Sequence, residues 1–217
     1  MVNRGSVFAF GDLKSINGQQ LGNGSISVSS YGHFEEDFTK TCGFDVTDPA
    51  AVKKHLREML HDWSPELRAL FENVEGPVVW RNLYMLPVGF RWEHKTGITL
   101  IGDAAHVMTP FAGVGVNNAL NDALLLSKAI VKHAETGSAD TLDSQVIGYE
   151  EEMLRITEKA AALTEGCMKD MLFTPGAPRA RIESYVTRHA TAEFSPWLHP
   201  VIAAVVRTVY FFYKLVY

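Results

Sequence analysis

The sequence predicts an α/β protein of the α+β type, and three of its features lead to this prediction. Two short runs near the start resemble strands, and the second alternates apolar and polar residues, as a half-buried antiparallel strand does. An apolar run at 98–101 ends in Gly-Asp and precedes a glycine-rich entry to a helix. Beyond it, long segments have the composition and spacing of helices. We therefore expect antiparallel strands first, then a strand–loop–helix segment, then a set of carboxyl-terminal helices.

The first ninety residues contain three predicted strands. GSVFAFG (5–11) and GSISVSSY (24–31) have strand patterning, and VVWRNLYMLP (78–87) predicts a strand that returns to them. The segment between the first two, DLKSINGQQLGNG, contains an Asn-Gly pair and other turn-forming residues. It predicts a hairpin with a long connection.

Two helices are predicted between the second and third of these strands. Asp48 has the position of an N-cap and is followed by Pro49, while Ser64 and Pro65 repeat that pattern. The expected buried faces are Val52, Leu56, Met59, Leu60 and Trp63 in the first helix, and Leu67, Leu70 and Phe71 in the second.

From Thr96 the sequence changes character. TGITLIGD (96–103) predicts a short buried strand, and helices are expected at 115–134 and, after a break at Gly137, at 140–172. TPGAP (174–178) predicts a hinge, and 179–192 a further helix. We divide the chain into three domains: 1–95 with the antiparallel strands, 96–175 with the strand–loop–helix region and long helix, and 176–217 as a helical tail.

Composition excludes several classes of function. The chain has 217 residues, 47% hydrophobic, with a net charge of −5 and no basic stripe, so nucleic acid is not an expected partner. The two cysteines have no metal-ligand spacing and fit a reduced, cytoplasmic compartment. His55 and His61 are six residues apart and do not share a helix face. The chain contains no HExxH, CxxC or GxSxG pattern, so neither a metal site nor triad chemistry is expected.

The segment after the predicted strand has the parts of a site for a polar, planar, electron-poor ligand. Asp103 would accept hydrogen bonds from polyol hydroxyls, and Pro110 would offer a rigid surface beside a ring. Gly113 and Gly115 would let the backbone approach closely. The helix that begins near Gly115 would direct free N–H groups at the ligand. Together these features fit a ribityl chain and an electron-accepting ring.

A simpler interpretation of each single element is a strand-to-helix turn, with glycines at the corner and a local cap at Asp103. The complete spacing, GD-AAH-x3-P-x2-GxG-xN-x4-D, favours the binding interpretation. GVGVNN resembles a dinucleotide fingerprint, but it lacks the third glycine and lies too far from its strand.

Residues 102–130, GDAAHVMTPFAGVGVNNALNDALLLSKAI, closely resemble the second FAD motif of the single-component flavoprotein aromatic hydroxylases, the p-hydroxybenzoate hydroxylase type. Within that superfamily the sequence is most similar to the tetracycline-degrading monooxygenases and their fungal relatives. The resemblance extends over residues 1–178, including LFTPGAPR. It implies a flavoprotein-hydroxylase-like fold made of a substrate-domain sheet, a strand with the second FAD motif, and carboxyl-terminal helices.

The resemblance also implies roles for individual residues. Asp103 would bind the ribityl part of FAD, and Pro110 would lie against the flavin ring. The amides of Val116 and Asn117 would point at the pyrimidine carbonyl, with Gly113 and Gly115 shaping the loop. The substrate side would be lined by Phe111, Ala112, Met85 and Phe90.

The implied activity is FAD-dependent monooxygenation. NADPH would be the reductant, and the small-molecule substrate would be aromatic, enolic or polycyclic, in secondary metabolism of the fungal type. No residue is assigned as catalytic. His106 is a candidate acid or base, although its place in the motif favours a structural role beside the helix entrance. Arg81 is a candidate contact to a polar substrate, against an exposed or salt-bridged structural role.

The sequence departs from the resembled family in one large respect. Family members begin with a strand–GxGxxG–helix unit that holds the ADP half of FAD, and they carry a further Asp-Gly motif. This sequence contains neither, so it corresponds to a carboxyl-terminal half. Three expectations follow: a truncated, inactive fragment or pseudoenzyme; a site completed by a separate chain; or a flavin-free protein that uses the cavity for cyclisation or isomerisation.

The tail from Val201 to Tyr217 is strongly apolar, with Arg207 and Lys214 as its only charged residues. An Arg near the middle of a membrane span costs about 2.5–3.5 kcal/mol. The pattern therefore favours a helix that packs on the body of the protein or makes peripheral contact with a membrane surface over a helix that crosses the membrane.

Overall fold

A computed structural model of the chain describes residues 2–136, 141–192 and 194–216. It divides into two compact units. The first comprises Met1–Asn82 and Asp170–Ile182, and the second comprises Leu83–Lys169 and Glu183–Tyr217. The three-domain division expected from the sequence stays a prediction.

The first unit contains an antiparallel sheet of three strands, β1 (Ser6–Gly11), β2 (Lys14–Gln20) and β3 (Ile26–Gly32), in the order β1-β2-β3. The two strands predicted at 5–11 and 24–31 are confirmed as β1 and β3. The prediction of a long connection between them is wrong, because most of that segment is the central strand β2.

The turn chemistry explains why β2 was not predicted. β1 and β2 are joined by the two residues Asp12 and Leu13, which have φ of 48° and 62°. Two positive φ values suit the right-handed twist of a hairpin, but leucine is seldom found in such a turn. Asn17 and Gly18, which have the composition of a turn, lie in the middle of β2. A Cβ at Gly18 would lie 3.3 Å from Leu70, so the missing side chain lets a helix approach the strand closely.

Helices in this unit are α1 (Phe38–Thr41), α2 (Pro49–Met59) and α3 (Pro65–Glu72). The predicted caps of α2 and α3 are confirmed: the Asp48 side chain accepts a hydrogen bond from the Ala50 amide, and the Ser64 hydroxyl accepts one from the Leu67 amide. The short helix α1 was not predicted.

The apolar faces of α2 and α3 pack on the sheet. Ile16, Leu60 and Phe71 are fully or almost fully buried there. The residues packed against them include most of the predicted helix faces: Leu56, Met59, Trp63, Leu67 and Leu70, together with Ala9 and Val28 of the sheet. Periodicity therefore identified this core correctly.

The second unit consists mainly of helices. They are α4 (Asp103–His106), α5 (Gly115–Thr136), α6 (Leu142–Leu172), α7 (Ile182–Ala192) and α8 (His199–Val216), with 3-10 turns at Pro110–Ala112 and Pro196–Leu198. The last turn of α6 belongs to the first unit. The helices predicted at 115–134, 140–172 and 179–192 are confirmed in place. Gly137, the predicted break, lies outside the described residues.

Two predicted strands, 78–87 and 96–103, are wrong. Within the described residues neither joins a ladder, and only an isolated bridge, Lys95 to Ile98, occurs there. In the second segment, side chains from helices form hydrogen bonds with the backbone instead. The Tyr149 hydroxyl donates to the Leu100 carbonyl at 2.8 Å, and Asp122 accepts from the Gly102 amide at 2.9 Å. An apolar run indicates that a segment is favoured in the interior of the protein. It does not indicate whether another strand is available to pair with that segment.

The core of the second unit lies between the start of α4 and the two long helices. Ala105, Ala129, Tyr149 and Met153 are buried together, and the side chains packed around them are Trp92, Leu125, Leu126, Val146 and Leu154. This core fixes α5 and α6 beside the segment that carries the predicted site.

Candidate flavin site at the start of helix α5

Gly102 begins the site with a backbone conformation that only glycine adopts readily, with φ of 59° and ψ of −142°. Its amide donates a hydrogen bond to Oδ2 of Asp122, at 2.9 Å. A Cβ at Gly102 would also lie 3.4 Å from Ala119. The predicted Gly-Asp sequence thus makes a sharp corner against α5 rather than ending a sheet strand.

The same carboxylate oxygen holds His106. Nε2 of His106 lies 2.5 Å from Oδ2 of Asp122, and the two side chains are 7% and 1% exposed. Because Asp122 accepts, Nε2 carries the proton. Asp122 therefore fastens both ends of α4 to α5. The sequence placed this residue in the motif spacing without giving it a role, and the buried contact favours the structural interpretation of His106.

A second buried residue, Thr164 on α6, holds the next part of the loop. Its hydroxyl donates to the Thr109 carbonyl at 2.5 Å, accepts from the Ala112 amide at 3.3 Å and lies 3.2 Å from the Thr109 hydroxyl. One donor and two acceptor positions are thereby all used. Thr164 fixes the Pro110–Ala112 turn. Sequence reasoning missed it, because it lies more than fifty residues from its partners and belongs to no motif.

The loop then turns into α5 through Gly113, which has left-handed φ of 67° and ψ of 21°. The first hydrogen bond of the helix runs from the Asn118 amide to the Val114 carbonyl, at 3.1 Å. The amides of Gly115, Val116 and Asn117 therefore have no hydrogen-bond acceptor among the described residues. Val116 and Asn117 are exposed, Val116 to 74%, and Gly115 is half-buried. Free N–H groups at a helix start suit a carbonyl or anionic oxygen, and a flavin pyrimidine ring presents such atoms.

The remaining predicted cofactor residues lie on the same continuous segment. Asp103 and Pro110 are exposed, while Phe111 and Ala112 are half-buried in the turn held by Thr164. The residues predicted to contact flavin are thus exposed or half-buried, and buried hydrogen bonds from Asp122 and Thr164 hold their loop. Their binding roles stay predictions.

The segment with the other predicted substrate contacts runs beside this loop. The Leu86 amide donates to the Val107 carbonyl at 3.0 Å, which places half-buried Met85 and exposed Phe90 near α4. A cavity of about 20 Å³ lies between Leu86, Phe90, His106 and neighbouring α6 residues. That volume holds one water molecule and is too small for an aromatic ring. Arg81 is exposed and belongs to the first unit.

A cluster of titrating groups holds residues 94–99 against the start of α6. His94 lies 2.8 Å from Glu150 and 3.1 Å from Asp143, and the Thr99 hydroxyl donates to Glu150 at 2.7 Å. The hydrogen bond to Glu150 is the largest cause that raises the pKa of His94 above its usual value, with a smaller contribution from Asp143. Burial likewise raises the pKa of Tyr149, which donates to the backbone next to this cluster. The segment that leads into the site is therefore fixed by polar contacts with α6.

Comparison with known proteins identifies the same region. Residues 86–164 match the family model of the FAD binding domain. The matched residues include every predicted cofactor residue, together with His106, Asp122 and Thr164.

Among curated proteins, similar sequences include three fungal monooxygenases. Monooxygenase penA of Penicillium thymicola is 35% identical over 47% of this chain, and monooxygenase asqM of Emericella nidulans is 36% identical over 51%. FAD-dependent monooxygenase thnD of Trichoderma harzianum is 35% identical over 51%. The matched segments are 26%, 31% and 28% of those proteins, so the chain spans about a quarter to a third of their length. The resemblance to FAD-dependent monooxygenases is confirmed over about half of the chain.

Proposed function

We propose that residues 102–118 bind the isoalloxazine and ribityl parts of FAD and that the chain serves in monooxygenation of an aromatic, enolic or polycyclic small molecule. The observation that carries the proposal is the set of three amides, at half-buried Gly115 and exposed Val116 and Asn117, that have no acceptor among the described residues. They occur at the start of a 22-residue helix, inside the segment that matches the FAD binding domain.

In this proposal the chain's own residues mainly position the ring. The amides of Val116 and Asn117 donate to the pyrimidine carbonyl, where negative charge increases on reduction, and the α5 dipole adds to the same effect. Pro110 lies against the ring, and Asp103 accepts from the ribityl hydroxyls. Bound flavin supplies the electron transfer that activates oxygen, with NADPH as the reductant.

The substrate would lie on the side of the loop formed by Phe111, Ala112, Met85 and Phe90. Of these residues only Phe90 lines the cavity of about 20 Å³ described above, so in this proposal the substrate site has further walls. A separate chain that carries the ADP-binding half would supply other walls in one form of this proposal. His106 and Arg81 are not assigned a catalytic step.

We further propose a cytoplasmic protein of secondary metabolism that contacts a membrane peripherally through residues 201–216. Support comes from its cysteines, which form no disulfide in the described residues, and from its apolar last helix. Pro196–Val216 is long and apolar enough to cross a membrane by length and composition, with a mean hydropathy of 1.2.

The test of flavin binding compares Val116→Pro with Val116→Ala. Proline at this first-turn position removes the amide donor at small cost to the helix, whereas alanine retains the donor. We expect Val116→Pro to weaken FAD binding up to about tenfold, the value of one hydrogen bond to a neutral carbonyl, and Val116→Ala to bind as the wild type does. If both variants bind FAD equally and their melting temperatures are unchanged, the Val116 amide does not contribute to FAD binding.

A further inference from the structure

The last helix presents an uncovered apolar face in this structure. We define the outer face of α8, with the 3-10 turn before it, as Trp197, Val201, Ala204, Val205, Thr208, Phe211, Phe212 and Leu215. All eight side chains are exposed, and Trp197 reaches 75%. The opposite stripe is partly buried at every fourth residue: Leu198, Ile202, Val206, Tyr210 and Lys214. The helix thus has one partly buried side and one exposed apolar side.

Charge indicates what covers this face. Residues 183–217, the part of the second unit that contains α7 and α8, have three basic and two acidic side chains, a net charge of +1 in a chain whose net charge is −5. The helix itself contains no acidic residue, and exposed Arg207 lies at the edge of the outer face. An apolar face bordered by positive charge suits the surface of a bilayer that contains anionic lipids.

The end of α8 is fastened to α7. Nζ of Lys214 lies 2.7 and 2.8 Å from the two carboxylate oxygens of Glu183, and both side chains are about three-quarters buried. Glu183 is in the first turn of α7, and Lys214 is in the last turn of α8. The first turn of α7 therefore lies beside the last turn of α8.

This ion pair decides between two orientations in the membrane. If α8 crossed a hydrocarbon core of about 30 Å, Lys214 would lie on the far side, and Glu183 would have to lie there with it. Helix α7 has 11 residues and a length of about 16 Å, and it carries Arg188 and His189. It is too short and too polar to span the core beside α8.

We propose that α8 lies in the plane of an anionic bilayer surface, with its outer face among the lipids and Lys214 held by Glu183. This inference deepens the peripheral contact proposed above and does not depend on flavin binding. It commits to the lipid surface as the occupant of the outer face, in preference to a second copy of the chain.

The experiment uses the full chain with vesicles of phosphatidylcholine, alone or mixed with phosphatidylserine. We expect about tenfold or stronger binding to the mixed vesicles, lost at high salt, and release of the bound chain by alkaline carbonate. Phe212→Asp should weaken binding about tenfold or more. Phe8→Asp, at a β1 residue of similar exposure (66% against 61%), should leave binding unchanged.

Four results would overturn the proposal. Retention after carbonate treatment would mean that α8 crosses the membrane, and equal binding to neutral vesicles would remove the role of charge. A dimer in solution that Phe212→Asp dissociates, without vesicle binding, would assign the face to a second copy. A monomeric chain that binds neither kind of vesicle would show that the outer face of α8 does not bind lipid. FAD binding measured on the same samples separates these failures from failure of the flavin proposal.

Discussion

Nε2 of His106 and Oδ2 of Asp122 lie 2.5 Å apart in a buried pair that joins the short helix α4 to the long helix α5. The same oxygen accepts from the Gly102 amide, so one carboxylate fixes the whole corner before the proposed flavin loop. A buried carboxylate with two donors is stable only while both remain in place. The position of the loop therefore depends on a residue that does not itself face the ligand.

Replacing Asp122 with Asn should destabilise the fold and displace the loop. The amide keeps the size of the carboxylate, but it loses the charge that strengthens both hydrogen bonds. We expect the free energy of unfolding to fall by about 2–4 kcal/mol in chemical denaturation. Glu135→Gln, an exposed carboxylate on the same helix, is the matched control and should change it by less than about 0.5 kcal/mol. Equal stability of the two variants would contradict this account of Asp122.

Removing the Thr164 hydroxyl should release the Pro110–Ala112 turn. Thr164→Val has nearly the same shape but leaves the Thr109 carbonyl and the Ala112 amide without their partner. The expected loss of stability is about 1–2 kcal/mol, accompanied by weaker FAD binding. Thr164→Ser retains the hydroxyl and should bind FAD more tightly than the valine variant. If valine and serine variants bind FAD equally, the hydroxyl does not position the turn.

Substitution by alanine should have different effects on stability at two glycines of the motif. Gly102 has positive φ, and its Cβ would approach Ala119, so Gly102→Ala should cost about 1–3 kcal/mol of stability. Gly115 begins α5 without positive φ, and a Cβ there would meet open space. Gly115→Ala should therefore leave stability unchanged or slightly increased. Thermal melting measures both, and a reversed order would show that the corner at Gly102 is not strained.

The His94 cluster predicts a specific pH dependence of stability. The folded-state pKa of His94 is raised above its ordinary value of 6.5, chiefly by the hydrogen bond to Glu150. Its contribution is therefore complete below pH 6.5 and is lost as the pH rises through the raised folded-state pKa. Relative to His94→Gln, the wild type should lose its advantage in free energy of unfolding over that window. His61→Gln, at an exposed histidine, should show no such trend, and an advantage that grows with pH would contradict the assignment.

The elements that could be predicted from sequence are those specified locally. The caps at Asp48 and Ser64 and the apolar spacing of α2 and α3 depend on neighbouring residues, and the structure confirms them. The strand predictions at 78–87 and 96–103 failed because a strand is defined by its partner. In the second segment, Tyr149 and Asp122 take the backbone groups that a ladder would have used.

The candidate site likewise has a part that could be predicted from local sequence and a part that could not. The candidate cofactor residues, from Asp103 to Asn117, form one continuous motif that could be named from sequence, and their binding roles stay predictions. The supporting residues Thr164 and Asp122 were not assigned roles, because their importance arises from burial and from contacts with residues 16 to 55 positions away. Met85 and Phe90 were named as substrate contacts, but no pattern revealed that the cavity beside them holds only a water molecule.

The most direct test of the central claim is an equilibrium titration of the wild-type chain with FAD, followed through the visible flavin band and flavin fluorescence. We expect saturable binding, with a shifted band and an increased melting temperature, because a ligand that binds the folded state stabilises it. A chain that melts cooperatively but leaves the flavin spectrum and its own melting temperature unchanged at saturating FAD would show that residues 102–118 do not bind flavin. Binding of a polycyclic compound by such a chain would then favour flavin-free chemistry.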